Sequence, residues 1–322
     1  ARNLAGYSFA HLVNHEQAMQ VVEKVASVFA NLPGEEGKEY DMLYMQYLPS
    51  LDRQVLVEKH LISPQLAEKE EGALLLSKGE DVAIMLNEED HLRMQCLLPG
   101  LQLEVAWQKL NKIDDMLEEK LDIAFDNQFG YLTACPTNLG TGLRASVMLH
   151  LPALVFTKQA DQLFSVVNKV GMTVRGLYGE GTKAGGNIFQ LSNQVTLGLT
   201  EEEILSRLNK VVMQVIEQEK QARIWLQKEN DKALADRIWR AYGILTNARS
   251  ISSDEMMEKC SLIRLGMDLG ILPNLNSAML NRIMVGTQPA FVQKKSVKEL
   301  DPQERDWQRA EMIRKQLRGE EL

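Results

Sequence analysis

The strand-like segments of this 322-residue chain end at Ser192, and from about Ala233 no strand candidate is evident. Short apolar or alternating runs at 82–86, 91–98, 130–134, 145–151, 173–178 and 187–192 predict strands. Helical spacing over 10–31, 103–124 and 155–170 places helices among them, with a break at Gly34 to Gly37. Residues 40–57 mix Tyr, Met and Leu and carry no assignment. Grouped strands with interspersed helices predict an α+β fold, an antiparallel sheet flanked by helices. From Thr200 the pattern changes. Thr200-Glu201-Glu202-Glu203 is a capping box, and Ile204, Leu208, Val211, Val215, Ala222 and Leu226 mark one face of a long helix. Ser252 with Glu255 opens a further helix, with Gly270 and Pro273 after its end, and Asp301-Pro302-Gln303-Glu304 opens another. The expected organisation is an α+β domain over 1–228 and an all-helical C-terminal domain over 229–322.

The stretch from Cys135 to Arg144 (Cys-Pro-Thr-Asn-Leu-Gly-Thr-Gly-Leu-Arg) concentrates chemistry between two predicted strands. It holds one thiol, one guanidinium and two glycines. Such a loop brings backbone N–H groups toward an anion and aims Cys135 and Arg144 into one space; the competing reading is a plain glycine turn. Lys plus Arg total 36 against 44 Asp plus Glu, a net charge of −8, which argues against a general nucleic-acid coat. Cys96, Cys135 and Cys260 are far apart, show no metal-ligand spacing and suit a reducing cytoplasm. No apolar run approaches the ~20 residues of a membrane helix. Nothing fits the Gly-x4-Gly-Lys-Ser/Thr phosphate loop, so any phosphate clamp must come from elsewhere.

Three blocks resemble the signatures of phosphagen (guanidino) kinases, the family of arginine and creatine kinases. One is the Cys135 to Arg144 stretch. The others are Asn87-Glu88-Glu89-Asp90-His91-Leu92-Arg93 and Arg175-Gly176-Leu177-Tyr178-Gly179-Glu180-Gly181-Thr182. Together they cover roughly residues 1–228. The resemblance implies ATP and Mg2+ as cofactors and transfer of the γ-phosphoryl group to a guanidinium nitrogen. It implies Arg93, Arg144 and Arg175 as the phosphate clamp, and Glu89 as base with Glu180 as orienting partner. It also implies Cys135 as a reactive thiol beside the substrate guanidinium, and, more weakly, His60 against the adenine. The Gly179 to Gly186 segment, with four glycines in eight residues, is expected to be mobile. The family also carries an Arg-x-Arg strand upstream of an equivalent of Arg2-Asn3, so this sequence is expected to be a piece lacking its first few dozen residues.

Family members acting on small molecules carry a helical domain at the N-terminus. A helical C-terminus instead resembles the bacterial protein-arginine kinases of the McsB type. There Arg305-Asp306-Trp307-Gln308-Arg309-Ala310 resembles an Arg-Asp-x-x-Arg-Ala motif for phosphoarginine. Arg305 and Arg309 are four apart on one helix face, and a solvated charged helix end is the competing reading. The branch implies protein substrates with exposed arginines, marking for degradation in a stress response, the activator McsA, the repressor CtsR and the unfoldase ClpC. It also implies a homodimer or larger homo-oligomer. Free-arginine kinase and phosphoarginine-binding adaptor with an impaired kinase site remain alternatives at this point.

Overall fold

Apolar runs too short for helices build the first sheet. The computed structural model describes residues 1–31, 39–176, 185–272 and 275–320. The chain divides into two compact units, residues 1–145 with 193–209 and residues 146–192 with 210–322. The first unit opens with α1 (His15–Ala30), β1 (Tyr40–Tyr44), α2 (Ser50–Glu58) and α3 (Pro64–Ala67). It continues with β2 (Ala73–Ser77), β3 (Val82–Leu86), β4 (Leu92–Cys96) and α4 (Leu103–Glu118). β1 to β4 pair antiparallel in chain order.

β2 and β3 are buried at every position, because both faces of the sheet are covered. Ala73, Leu75, Val82, Ile84 and Leu86 pack with Val21, Val22, Val25 and Phe29 of α1 and Leu117 of α4. Leu74, Leu76, Ala83 and Met85 pack on the opposite face with Leu61, Ile62 and Leu66. Each fully buried Leu contributes about 1.5–3 kcal/mol. Two-sided burial erases the polar–apolar alternation that marks a strand, so β2 and β3 both show only as short apolar runs, of which the sequence reading assigns 82–86 and leaves 73–77 without an assignment.

The start of the chain extends this sheet. Arg2 and Leu92 exchange backbone hydrogen bonds at 2.9 Å in both directions, and Leu4 bridges Ile123. Ala5 gives its N–H to Asp122 O and Ala124 gives its own to Asn3 O, both at 2.8 Å, so 122–124 pair with the start of the chain and α4 stops at Glu118, not at the expected Ala124. β5 (Phe125–Asp126) and β6 (Gly130–Tyr131) form a small hairpin. The strand expected over 130–134 is shorter, because Ala134 gives its N–H to the Asp90 carboxylate at 2.7 Å and not to a neighbouring strand.

The second unit holds β7 (Ser146–His150), α5 (Pro152–Phe156), α6 (Ala160–Lys169), β8 (Met172–Gly176) and β9 (Ile188–Asn193) up to Ser192, Asn193 being counted with the first, with strand order β7-β9-β8. The single helix expected over 155–170 is split, because Lys158 closes α5 in the left-handed region at φ 57°. Next comes α7 (Glu201–Asn247), a continuous helix through 228 and 229, then α8 (Ser253–Asp268), α9 (Ser277–Gly286), α10 (Pro289–Lys294) and α11 (Pro302–Leu317). The Thr200, Ser252 and Asp301 caps predicted from sequence all form. Buried Glu219 of α7 accepts the Ala153 and Leu154 N–H groups at 3.1 and 3.0 Å, satisfying the start of α5. The chain is thus mixed helix and antiparallel sheet with a helical C-terminal region, as expected. The Gly34 to Gly37 break, Pro273 and the 177–184 stretch with Glu180 lie outside the described residues.

Candidate active site

The β3–β4 hairpin sorts three consecutive carboxylates into different surroundings. Asn87 enters it at φ 58° and gives its N–H to His91 O at 3.0 Å. Glu88 and Asp90 are buried, 1% and 2% exposed, while Glu89 between them faces out. Glu88 Oε1 accepts from Arg93 Nη1, and its Oε2 from the Glu89 N–H, both at 2.8 Å. Asp90 Oδ1 accepts from Asn3 Nδ2 and from the Ala134 N–H, both at 2.7 Å. His91 Nδ1 accepts the Leu4 N–H at 3.1 Å, and Nε2 donates to Ser8 O at 2.8 Å. That pairing sets a neutral ring with its proton on Nε2. Burial keeps the His91 pKa below its ordinary value. Partial burial, and then the charges of Asp90 and Glu88, push the Glu89 carboxyl upward. An outward carboxylate with a raised pKa is suited to accepting a proton.

Arg93 lies on β4 opposite Met85, with its side chain 47% exposed. Gln95, two residues on, shares its face and donates to His60 O at 2.8 Å. His60, at φ 59° beyond the end of α2, is therefore held on the sheet face that carries Arg93. Burial lowers its pKa.

Asp90 ties this hairpin to the Cys135 loop. Glu89 precedes Asp90, and Cys135 follows Ala134, so both candidate residues adjoin the ends of one hydrogen bond. Cys135 leads into a 3₁₀ turn over Pro136–Asn138. Its carbonyl accepts from Thr133 Oγ1 at 2.8 Å, and its Sγ lies 3.0 Å from Thr137 Oγ1. Gly140 and Gly142 adopt φ 106° and 63°, and a Cβ there would stand 2.7 Å from Thr196 O and 2.6 Å from Ala1 O. Close packing of backbone against backbone is the visible reason for these two glycines. Arg144 ends the loop, exposed. Asn193, at the end of β9, holds the peptides on either side of it.

In the second unit Arg175 is exposed on β8. At the start of α11, Arg305 and Asp306 are half-buried and Arg309 is 2% exposed. Arg309 Nε donates to Thr287 O at 2.8 Å and Nη1 to Ile251 O at 2.9 Å, and Nη1 also pairs with Asp306. The sequence reading places both arginines on a face open to an anion; in the structure Arg309 turns inward and Arg305 remains nearer the surface. Among the described residues no group of three or more His, Cys, Asp or Glu is arranged to hold a metal ion.

Sequence pattern singles out Glu89, Arg93, Cys135 and Arg144 but misses the residues that hold them. Glu88, Asp90 and His91 lie inside the same block, where their inward direction has no one-dimensional signal. Asn193 shows only as a polar residue closing a strand.

The ATP:guanido phosphotransferase C-terminal catalytic domain family matches residues 20–222, and the protein-arginine kinase McsB C-terminal domain family matches residues 231–321. A protein-arginine kinase of Brevibacillus brevis is 51% identical over 319 residues, covering 99% of this chain and 89% of that protein. One of Moorella thermoacetica is 51% identical over 321 residues, covering 99% and 92%. Among solved structures, lombricine kinase aligns at TM-score 0.59 and 23% identity, covering 68% of this chain and 64% of its own. The duplicated taurocyamine kinase of Schistosoma mansoni with bound transition-state-analogue components aligns at TM-score 0.59 and 26% identity, covering 74% of this chain and 35% of its own.

Proposed function

The chain belongs to the ATP:guanido phosphotransferases, in their protein-arginine kinase branch, and from that premise we propose how its residues phosphorylate arginine side chains of proteins. The observation that carries the reading is the sorting of the hairpin carboxylates. Glu88 and Asp90 are used internally, on Arg93 and on the Cys135 loop, which leaves Glu89 presented outward with a raised pKa.

A guanidinium is cationic, with pKa above ~12, and is a poor nucleophile until its attacking nitrogen loses a proton. Glu89 accepts that proton, and Glu180 grips another edge of the planar group. An N–P bond forms to the γ-phosphorus as the bond from that phosphorus to the bridging oxygen breaks. ADP leaves, and the proton ends on Glu89. Cys135 lies beside the acceptor guanidinium and helps orient it. The exposed guanidinium groups of Arg93, Arg144 and Arg175 suit a nucleotide, because their forks bind phosphate oxygens bidentately. Phosphoryl transfer draws most of its rate from such charge neutralisation and in-line positioning. Bound Mg2+ would add to that neutralisation, carried mainly by the nucleotide phosphates and water. His60 stacks on the adenine in this reading.

The two domains divide the work. Residues 1–228 form the catalytic domain, and residues 229–322 bind phosphoarginine and mediate self-association. The limits of the two family matches, 222 and 231, support that division. At the start of α11, Arg305 takes the phosphate and Asp306 the guanidinium half of a second phosphoarginine, with Arg309 holding Asp306 in place. Occupancy there raises kinase activity by favouring an active arrangement. Among the described residues no helix is long and apolar enough to cross a membrane. The cytoplasm is the compartment proposed, with McsA, CtsR and ClpC as partners and degradation of the marked proteins as the outcome.

The test offers ATP and Mg2+ together with either an arginine-rich protein or free arginine. Acid-labile phosphoarginine should appear on the protein, identified by 31P resonance and mass spectrometry. Turnover of free arginine without protein labelling would overturn the choice of substrate.

A further inference from the structure

Arg144 follows a loop that contains Gly140 and Gly142, both at positive φ. A side chain that must meet a phosphate at a defined angle needs its own backbone held after such a loop. Asn193 supplies the hold. It is 4% exposed, and its amide spends acceptor and donors on the neighbouring backbone. Oδ1 accepts the Ala145 N–H at 2.8 Å, and Nδ2 donates to Leu143 O at 3.1 Å and to Val195 O at 3.2 Å. The Asn193 backbone N–H adds a bond to Ala145 O at 3.3 Å.

These partners are not arbitrary. The Leu143 carbonyl belongs to the peptide on the N-terminal side of the Arg144 Cα, and the Ala145 N–H to the peptide on its C-terminal side. Two peptide planes flanking one Cα set its φ and ψ, and with them the direction of Cα–Cβ. One buried amide therefore fixes where the Arg144 side chain begins. Asn suits the place because it presents an acceptor and two donors on a short stem.

We propose that Asn193 is a positioning residue for nucleotide binding, acting through Arg144; this rests on the reading of Arg144 as a phosphate ligand. Asn193 touches no reacting atom. Its effect is to keep the guanidinium pre-aimed, so that binding ATP does not first require ordering of the loop.

The experiment measures ATP affinity by calorimetry for the full chain, Asn193→Ala, Arg144→Ala and the double variant, with melting temperatures alongside. Asn193→Ala should weaken ATP about 10-fold, the scale of one charge-assisted hydrogen bond. Arg144→Ala should weaken it at least as much, and adding Asn193→Ala to Arg144→Ala should cost nothing further. If Arg144→Ala weakens ATP but Asn193→Ala does not, or if the two losses add in full, the positioning role is wrong while the phosphate-ligand reading stands. If Arg144→Ala leaves ATP affinity intact, both fall. Should Asn193→Ala fail to fold, Asn193→Ser, which keeps one hydrogen-bonding group, is read the same way with a smaller loss.

Discussion

Glu88, Glu89 and Asp90 have nearly the same chemistry, and their directions separate them. Replacing Glu89 by Gln keeps shape and polarity but removes the proton acceptor. Turnover should fall by at least ~100-fold, with ATP affinity unchanged. Glu180→Gln should behave alike, since the amide removes the second negative charge proposed to grip the planar cation. Phosphoarginine formation against time reads both; a variant keeping more than half of the original turnover rejects its assignment. The three thiols are also distinguished by surroundings. Cys260 is buried, and burial pushes its pKa up to about 12, while burial and then Asp81 raise that of Cys96. Cys135, half-buried beside Thr137, should react fastest with a thiol reagent and be protected by ATP plus substrate. Faster labelling at either other cysteine would make Cys135 an inert structural residue.

At the scale of elements, what could be read from sequence depended on how local each cause was. Helix starts were legible because a cap joins residues three apart: Thr200 to Glu203, Ser252 to Glu255, Asp301 to Glu304. The chemistry-bearing blocks were legible because their residues are contiguous. β2 was not, since burial on both faces leaves no alternation to read, and Asn193 was not, since its partners lie 48 and 50 residues away. The turned-in Arg309 was hidden for the same reason, its acceptors being Ile251 and Thr287. This makes the two arginines of α11 separable. Arg309→Ala removes a buried charge and leaves two carbonyls and Asp306 unpaired, which should cost about 3 kcal/mol or more and lower the melting temperature. Arg305→Ala gives up one long hydrogen bond to Leu300 O, at 3.4 Å, so melting should hardly change while free phosphoarginine binds more weakly. Calorimetry and thermal melting on both variants decide it. Unchanged phosphoarginine affinity in Arg305→Ala would mean that the start of α11 is only a solvated helix end.

For the molecule as a whole, acid is the condition in which the buried ionisable groups oppose one another. Each compact unit keeps a histidine neutral, His91 in the first and His150 in the second. His150 Nε2 lies 2.8 Å from Ser261 Oγ, while its buried Nδ1 has no hydrogen-bond partner among the described residues. Burial first, and then the positive charges of Arg264 and Arg223, lower its pKa from 6.5 to about 3. The unfolded chain therefore takes up a proton at this residue below pH 6.5, and the folded chain does so only near pH 3. Stability linked to His150 is complete above pH 6.5 and is lost progressively as the pH falls toward 3. Asp114 and Glu219 work in the opposite sense, because burial raises their pKa values. The folded state holds those protons to higher pH, so the stability they add is present in acid and lost as the pH rises through their folded values. The net acid response of the protein mixes both signs, and a difference measurement isolates the histidine. His150→Gln removes the titration and keeps a side-chain amide within reach of Ser261. At pH 5 the gap from the unfolded value is 1.5 units, and at about 1.4 kcal/mol per unit the wild type should lose about 2 kcal/mol more than the variant on going from pH 7.5 to 5. Urea titrations of both proteins at the two pH values read that difference. An equal loss in both would mean that His150 gains its proton as readily in the folded chain as in the unfolded one.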